Sequence, residues 1–511
     1  MNENRTDNSA TRGRRIAGEE SFASGYLWTF GSTALPLVSA FVVSMIIART
    51  MGPRVTGLIN LTMAVATIFL IAAKVGVDGA GSRLVSEYAV SAPELIRPLT
   101  RSAFLLRLSF TLPVSVAAFF LAPALAAFYS DPGLEPLFRL GGLVIISVSF
   151  NELAALILLG LKKFGALFSM RAVMLVMRIG LVAAAAVLAL GASGVIWAYI
   201  VTTGVTGAAV FVYLFMRGHE GASPDQLRQM RSRLWRLSMT LAVSGASVTI
   251  YSLLDKVMLG YFRSAEDVGI YSMARNLLET SLFPMFALVM TLRPALAGAW
   301  ASGDRIRCSD LINRSIMASF AFSACVATVF ACLARPLVTG LFSEQFAESA
   351  VILVLFLPLL VMRSVGSVIL PALIAADRSG TYATLTVVGA VLNFMLNALL
   401  IPRWGAEGAV VSTLISYMPM EVLGLAVVSR EIGGLIRKGD LSRAVRIAAS
   451  AALLWAAYTR FVPEPSGLTY TLIHASVLTV VFMSALIALR AVRKDDLLEL
   501  AAPAARIFRR R

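Results

Sequence analysis

Apolar stretches of roughly twenty residues recur from Tyr26 almost to Val492, and this recurrence leaves the chain few folds to choose from. A hydrocarbon core about 30 Å thick takes about twenty helical residues to cross. Lipid satisfies no backbone amide, so each such stretch has to close its hydrogen bonds internally as a helix. About fourteen can be counted, centred near Ala40, Ala66, Val114, Ile146, Leu181, Ala208, Ser247, Met285, Ala324, Leu357, Leu392, Ser416, Leu453 and Leu478. Asn276, Glu279 and Arg363 interrupt the eighth and tenth. With 58% hydrophobic and 14% charged residues, the 511-residue chain reads as an all-α, polytopic integral membrane protein.

The opening "MNENRTDNSATRGRRIAGEES" lacks the apolar run and small-residue cleavage site of a signal peptide and reads as a disordered tail. With that tail inside, about thirty Lys and Arg fall on cytoplasmic segments against about seven outside, which predicts one orientation, with both termini cytoplasmic. The net charge of +16 does not point to nucleic acid, because the cations gather in "RGHEGASPDQLRQMRSRLWR", "REIGGLIRKGDLSRAVR" and "RIFRRR", each beside a span. Anchoring to anionic inner-membrane lipid is the expectation. Cys308, Cys325 and Cys332 show no CxxC spacing, so neither a disulfide nor a metal is expected. No GxxxxGK[ST] loop is present, and no cofactor is predicted.

Four passages recur at offsets of roughly 210 to 215 residues, the length of about six spans. "GPRVTGLINL" around Gly57 echoes "RSAEDVGIYSM" around Gly269, and "LAPALAAFY" at Leu121 echoes "LARPLVTGLF" at Leu333. "LLGLKKFG" echoes "LIAADRSG", and "LGASGVIWA" echoes "WGAEGAVVS", matching Gly194 to Gly408. The predicted plan is a tail (1–23), a six-helix lobe (24–218), a cytoplasmic linker (219–237), a second six-helix lobe (238–432), a linker with two extra helices (433–492) and a basic tail (493–511). Six spans is an even number, so the halves run parallel about an axis along the membrane normal. Two such lobes leave a central cavity that rocking exposes to either side, the plan of a transporter. In "SLLDKVMLGYFRSAEDVGIYS", Gly260 and Gly269 fit a tight outward turn, Lys256 is placed to snorkel, and Asp255 is directed to the cavity or a neighbouring helix.

"IIARTMGPRVTGLINLTMAVATIF" with "KVGVDGAGSRLVSEY", then "LLDKVMLGYFRSAEDVGIYSMARNL", resemble the polysaccharide and O-antigen flippases (Wzx type) of the multidrug/oligosaccharidyl-lipid/polysaccharide exporter superfamily. The resemblance implies two six-helix lobes around a V-shaped cavity. It also implies movement of an undecaprenyl-pyrophosphate-linked oligosaccharide to the outer leaflet, with a polysaccharide polymerase and a chain-length regulator as candidate partners.

Such a head group needs a polar, cationic cavity. Candidate cations at span depth are Arg107, Arg178 and Arg363, the deepest, then Arg171, Lys74 and Lys256. Asn393 and Asn397, on one helical face, and Asn151 are candidates for sugar hydroxyls or for joining helices. Glu152, Glu421, Asp255, Asp78 and Glu279 are the candidates for proton or sodium coupling, and Glu152 and Glu421 are the most isolated from bases in sequence. The membrane potential is an alternative drive: two negative charges moving outward across about 100 mV gain about 4 to 5 kcal/mol.

Three other readings stay open. A lipid II flippase would share the helix count, but it would be expected to place arginines in its early helices, and here the first span carries none before Arg49. A multidrug extruder would be expected to have twelve spans and an acidic, aromatic cavity. A membrane polymerase or ligase needs acid and base groups on a large outer loop, which is lacking here, and His219 and His474 have no partner at metal or catalytic spacing.

Overall fold

The computed structural model describes residues 6–216, 223–242, 246–432, 434 and 438–491, and every regular element among them is helical. The first half comprises α1 (Thr6–Lys74), α2 (Val77–Ser91), α3 (Ile96–Phe128), α4 (Leu134–Gly160), α5 (Phe164–Val187) and α6 (Gly191–Met216). After α7 (Pro224–Ala242) come α8 (Ala246–Phe262), α9 (Ala265–Ser281), α10 (Phe283–Ala301), α11 (Arg305–Leu341), α12 (Ser349–Leu355), α13 (Leu357–Gly366), α14 (Ile369–Ala375) and α15 (Ser379–Ile432). Two further helices, α16 (Lys438–Phe461) and α17 (Leu468–Ala488), pack against α11.

Ten stretches among the described residues are long and apolar enough to cross a membrane, and two of them, Phe30–Lys74 and Gly380–Ile432, are helix pairs joined at Gly52 and Gly405. Dividing these gives twelve; the fourteen expected from the sequence also count α8 and α16, which are not among the ten. The eighth and tenth are broken, and α11, the ninth, leaves helical geometry at Leu333. Pro284 opens α10 after a break at Leu282, and Pro358 opens α13 after one at Phe356. A proline in the first helical turn gives up no hydrogen bond.

The duplication is visible in the backbone. Gly191 and Gly405, equivalent in the repeat, have φ of 57° and 58°, and the equivalent Lys162 and Asp377 have 54° and 56°. A left-handed lysine and aspartate are uncommon. Finding both at matched turns marks two copies of one chain path.

Gly260 and Gly269, expected in a turn, lie inside α8 and α9. Ser264 makes the turn instead, its hydroxyl accepting from the Asp267 amide at 3.2 Å. The glycines serve helix crossings. A Cβ on Gly260 would come within 2.9 Å of Leu61. One on Gly57 would run into the Ala265 carbonyl and lie 3.0 Å from the Gly269 nitrogen, while one on Gly269 would run into the Pro53 carbonyl and lie 3.1 Å from the Gly57 nitrogen. This contact is reciprocal: each glycine meets its own repeat equivalent, and also the residue four before it. Only positions on the pseudo-twofold axis can do so. The second arm of α1 therefore crosses α9 backbone to backbone, the close approach that small residues permit between membrane helices.

The segment read as a linker (219–237) is helical from Pro224, and α7 packs on α2. Arg233 donates to both carboxylate oxygens of exposed Glu87, at 2.8 and 3.0 Å, and holds that carboxyl below the usual glutamate range. The tail read as disordered is helical from Thr6. His219 and the basic tail (493–511) lie outside the described residues.

Gly57→Ala supplies a direct check on the crossing. Helix propensity alone predicts a gain of about 0.5–1 kcal/mol, but overpacking the axis is expected to cost about 1–3 kcal/mol. Thermal unfolding in detergent should show a lowered midpoint; one at or above wild type would mean the helices do not meet so closely.

Candidate functional site

Beside this crossing lies a cavity of about 170 Å³ between the halves, walled by both arms of α1, by α6 and by α9. Its polar lining is Ser44, Thr56, Asn60, Tyr199 and Asn276. Two hydrogen bonds span the halves at its edge: Lys256 Nζ donates to Asn60 Oδ1 at 3.0 Å, and Asn276 Nδ2 donates to Ser44 Oγ at 3.0 Å. On the first-half side the Arg178 guanidinium lies 4.3 Å from the centre of the Tyr199 ring and donates to Thr202 Oγ1 at 3.3 Å. Among the described residues Arg178 has no carboxylate partner, although it is only 8% exposed. Two cations thus flank the cavity, Lys256 from the second half and Arg178 from the first, and neither is neutralised by a carboxylate in direct contact.

The other buried charges of the second half form an alternating chain. Asp255, 1% exposed, accepts from Tyr271 Oη at 2.7 Å, and from Arg275 Nη1, Asn397 Nδ2 and Thr413 Oγ1 at 2.9 Å each. Arg275 continues to Glu279 at 3.7 Å, and Arg363 donates to Glu279 from α13. The series acid, base, acid, base sums to zero, and no member needs bulk water as its counterion. Asn397 Nδ2 also reaches Asn393 Oδ1 at 3.1 Å, so the two asparagines orient Asp255 and are themselves fully buried. Glu421 lies against Gly366, and among the described residues it has no ion-pair or hydrogen-bond partner.

The first half repeats the arrangement with different residues. Arg107 is 0% exposed and donates to Ser149 Oγ at 2.5 Å and to the Lys74 carbonyl at 2.9 Å. That carbonyl closes the second arm of α1, where Val75 and Gly76 turn left-handed ahead of α2, so the arginine caps a helix end. Asp78 and Glu152 stand 3.4 and 3.8 Å from it, and Lys74 Nζ meets Glu152 at 2.8 Å.

The family model for "Polysaccharide biosynthesis protein" matches residues 22–300, more than half of the chain. The chain belongs to that family. A second family model, MatE, matches residues 241–399. The probable low-salt glycan biosynthesis flippase Agl15 of Haloferax volcanii is 25% identical over 190 residues, which cover 37% of this chain and 40% of Agl15. The chain spans about two fifths of the length of the curated relatives it matches. Among solved structures, a lipid II flippase MurJ in an inward closed conformation superposes with a TM-score of 0.69 at 12% identity, covering 90% of this chain and 98% of that one. An inward-facing multidrug resistance MATE family transporter of the MOP superfamily gives 0.66 at 15% identity, covering 78% and 94%. The fold is the one these exporters share.

Within that fold the sequence-derived candidates separate into three groups. Arg178 and Lys256 stand behind the cavity lining, on Tyr199 and Asn60. Arg107, Lys74, Asp78 and Glu152 come together inside the first half, where Glu152, isolated from bases in sequence, meets Lys74 and Arg107 in space. Asp255, Glu279, Arg363, Asn393 and Asn397 join in the second half. Arg171 stands apart from all three, and Glu421 feels the Arg363 charge without a direct contact. Asn151 joins helices, its Nδ2 donating to Thr206 Oγ1 at 2.7 Å. His474 accepts or donates to Tyr458 Oη at 2.6 Å on α16 and is a packing residue.

Sequence reasoning missed Arg275, the residue that neutralises Asp255. Its signal was present as the i, i+4 series Tyr271, Arg275, Glu279, which lies on one helical face. Asp255→Asn should take from Arg275 its nearest charge partner, leaving only the more distant Glu279 at 3.7 Å, and destabilise the protein by about 3–5 kcal/mol. Adding Arg275→Met should restore a good part of the loss. Unfolding in detergent micelles measures both, and equal stability of the single variant and wild type would show that the pair is not coupled.

Proposed function

We propose that the protein is a flippase that carries a lipid-linked oligosaccharide across a membrane by alternating access of its two lobes. The observation that carries this reading is the cavity between the halves, lying beside the Gly57–Gly269 crossing, whose lining residues Tyr199 and Asn60 are contacted from behind by Arg178 and Lys256. Family membership supports it, as do the relatives' descriptions as a glycan biosynthesis flippase and a lipid II flippase. The two cations suit a diphosphate, and the asparagine and hydroxyl lining suits sugars. A polyprenyl tail stays in lipid while the head group crosses.

The finer reading is an undecaprenyl-pyrophosphate-linked repeat unit of O-antigen, capsule or exopolysaccharide, moved to the outer leaflet of a bacterial inner membrane, with both termini cytoplasmic. The concentration of Arg at the α7 end supports that orientation. The Gly57 end then faces outward, and the lobes meet there. A polymerase and a chain-length regulator would take the product. Glu421, which makes no direct ion pair among the described residues although the Arg363 charge lies close enough to act on it, is the proposed coupling carboxylate of the second lobe, and Glu152 that of the first. The membrane potential acting on the diphosphate is an equally suitable drive. The protein is a carrier and not an enzyme in this reading, and it needs no cofactor.

Reconstituted proteoliposomes carrying a short-glycan undecaprenyl diphosphate test the proposal by the appearance of the glycan in the opposite leaflet. Wild type should flip it, and Arg178→Gln and Lys256→Gln should each slow the rate by about tenfold, the loss of one charge-assisted hydrogen bond to phosphate. A wild-type protein that moves no lipid-linked glycan overturns the proposal.

A further inference from the structure

Arg171 belongs to neither charge chain and does not line the cavity, yet its guanidinium is committed. Its Nη1 donates to the main-chain carbonyl of Ser32 at 2.5 Å. In an unbroken helix that carbonyl would accept from the amide four residues on, which here is Pro36, and proline has no N–H. The first arm of α1 nevertheless keeps helical backbone angles through Pro36 as far as Gly52. Ser32 is 1% exposed, so the replacement donor has to come from protein. In lipid every such carbonyl has to be satisfied by a neighbour.

The surrounding packing fixes the geometry. A Cβ on Gly31 would lie 3.0 Å from the Phe168 ring, and Phe168 also meets Trp28 edge-on at 5.0 Å, so α5 is pressed against this turn of α1. Arg171 follows Phe168 by three residues on the same face of α5. One turn beyond Pro36, Ala40, Val43, Ser44 and Ile47 form the α1 wall of the cavity.

We infer that Arg171 is a positioning residue. It supplies from α5 the hydrogen-bond donor that Pro36 denies to the Ser32 carbonyl, and it thereby keeps α1 helical at the joint that sets the pose of the cavity wall. Its placement in the molecule is independent of the flippase proposal; its consequence for transport rests on that proposal.

Hydrogen exchange of the α1 amides in the 33–40 segment, measured on the purified full chain without substrate, tests this. Arg171→Gln should raise exchange there by about tenfold, while Arg171→Lys, which keeps a cationic donor, should stay within about threefold of wild type. Pro36→Ala restores the helix's own N–H, so Arg171→Gln with Pro36→Ala should return exchange to the wild-type level. In the flipping assay Arg171→Gln should be slowed, and the double variant faster than Arg171→Gln alone. Unchanged exchange in Arg171→Gln, or equally fast exchange in the double variant, overturns the inference. Lost flipping with unchanged exchange would make Arg171 a ligand and overturns it as well. Because exchange needs no substrate, the role of Arg171 is decided even for a chain that flips nothing.

Discussion

The backbone contact between Gly57 and Gly269 is the constraint around which the other parts are arranged. Water drives soluble helices together by burying apolar surface, but lipid is as apolar as leucine, so two membrane lobes need another reason to meet. Here main chain packs on main chain at one small area, with the Pro53 and Ala265 carbonyls opposed across the axis. Elsewhere the halves touch through side chains, with Phe30 against Phe283 at 5.2 Å and Arg49 donating to the Gly340 and Leu341 carbonyls. The cavity lies immediately beside the glycine contact, and the two hydrogen bonds that join the halves there, Lys256 to Asn60 and Asn276 to Ser44, are single bonds between neutral or singly charged groups. Bonds of this kind contribute on the order of 1–3 kcal/mol each, little enough to be exchanged during a cycle.

Charge is handled in a second, separate way. Isolated ions at span depth would cost several kcal/mol each. Both halves meet this cost with alternating chains of acid and base, Asp255–Arg275–Glu279–Arg363 in one and Lys74–Glu152–Arg107–Asp78 in the other. The residues differ, and so does their placement: the Lys74 chain gathers at a helix break in the first half, and the Asp255 chain runs from α8 through α9 to α13. The duplication has preserved the path of the backbone while the polar interior of each copy diverged.

Much of this could be read from the sequence. Span number follows from the length of apolar runs, and the repeat from four echoes at one offset, because both are properties of linear spacing. Depth along a helix was legible too, since it is a residue count. Azimuth was not. Arg107 and Arg178 are both deep arginines, yet one faces the inside of its own lobe and the other lies beside Tyr199 at the cavity, and no count distinguishes them. Gly260 and Gly269 looked like turn residues because turn chemistry is local, whereas a helix crossing depends on a partner far away in sequence. Asn393 and Asn397 share one face, but the acid that Asn397 holds, Asp255, comes from another helix. Arg275 was overlooked for the same reason.

The two C-terminal helices bear on the mechanics of the whole. α16 and α17 pack along α11 and so belong to the second half alone, with Phe461, Leu453 and Val480 turned outward. In a bilayer, viscous drag grows with the width of the moving body, and a relative rotation is shared in inverse proportion to drag. The second half is therefore the ballast of the molecule. In the proposed alternating-access cycle, the slimmer first half, carrying Arg178, Arg171 and most of the cavity wall, would sweep the larger arc.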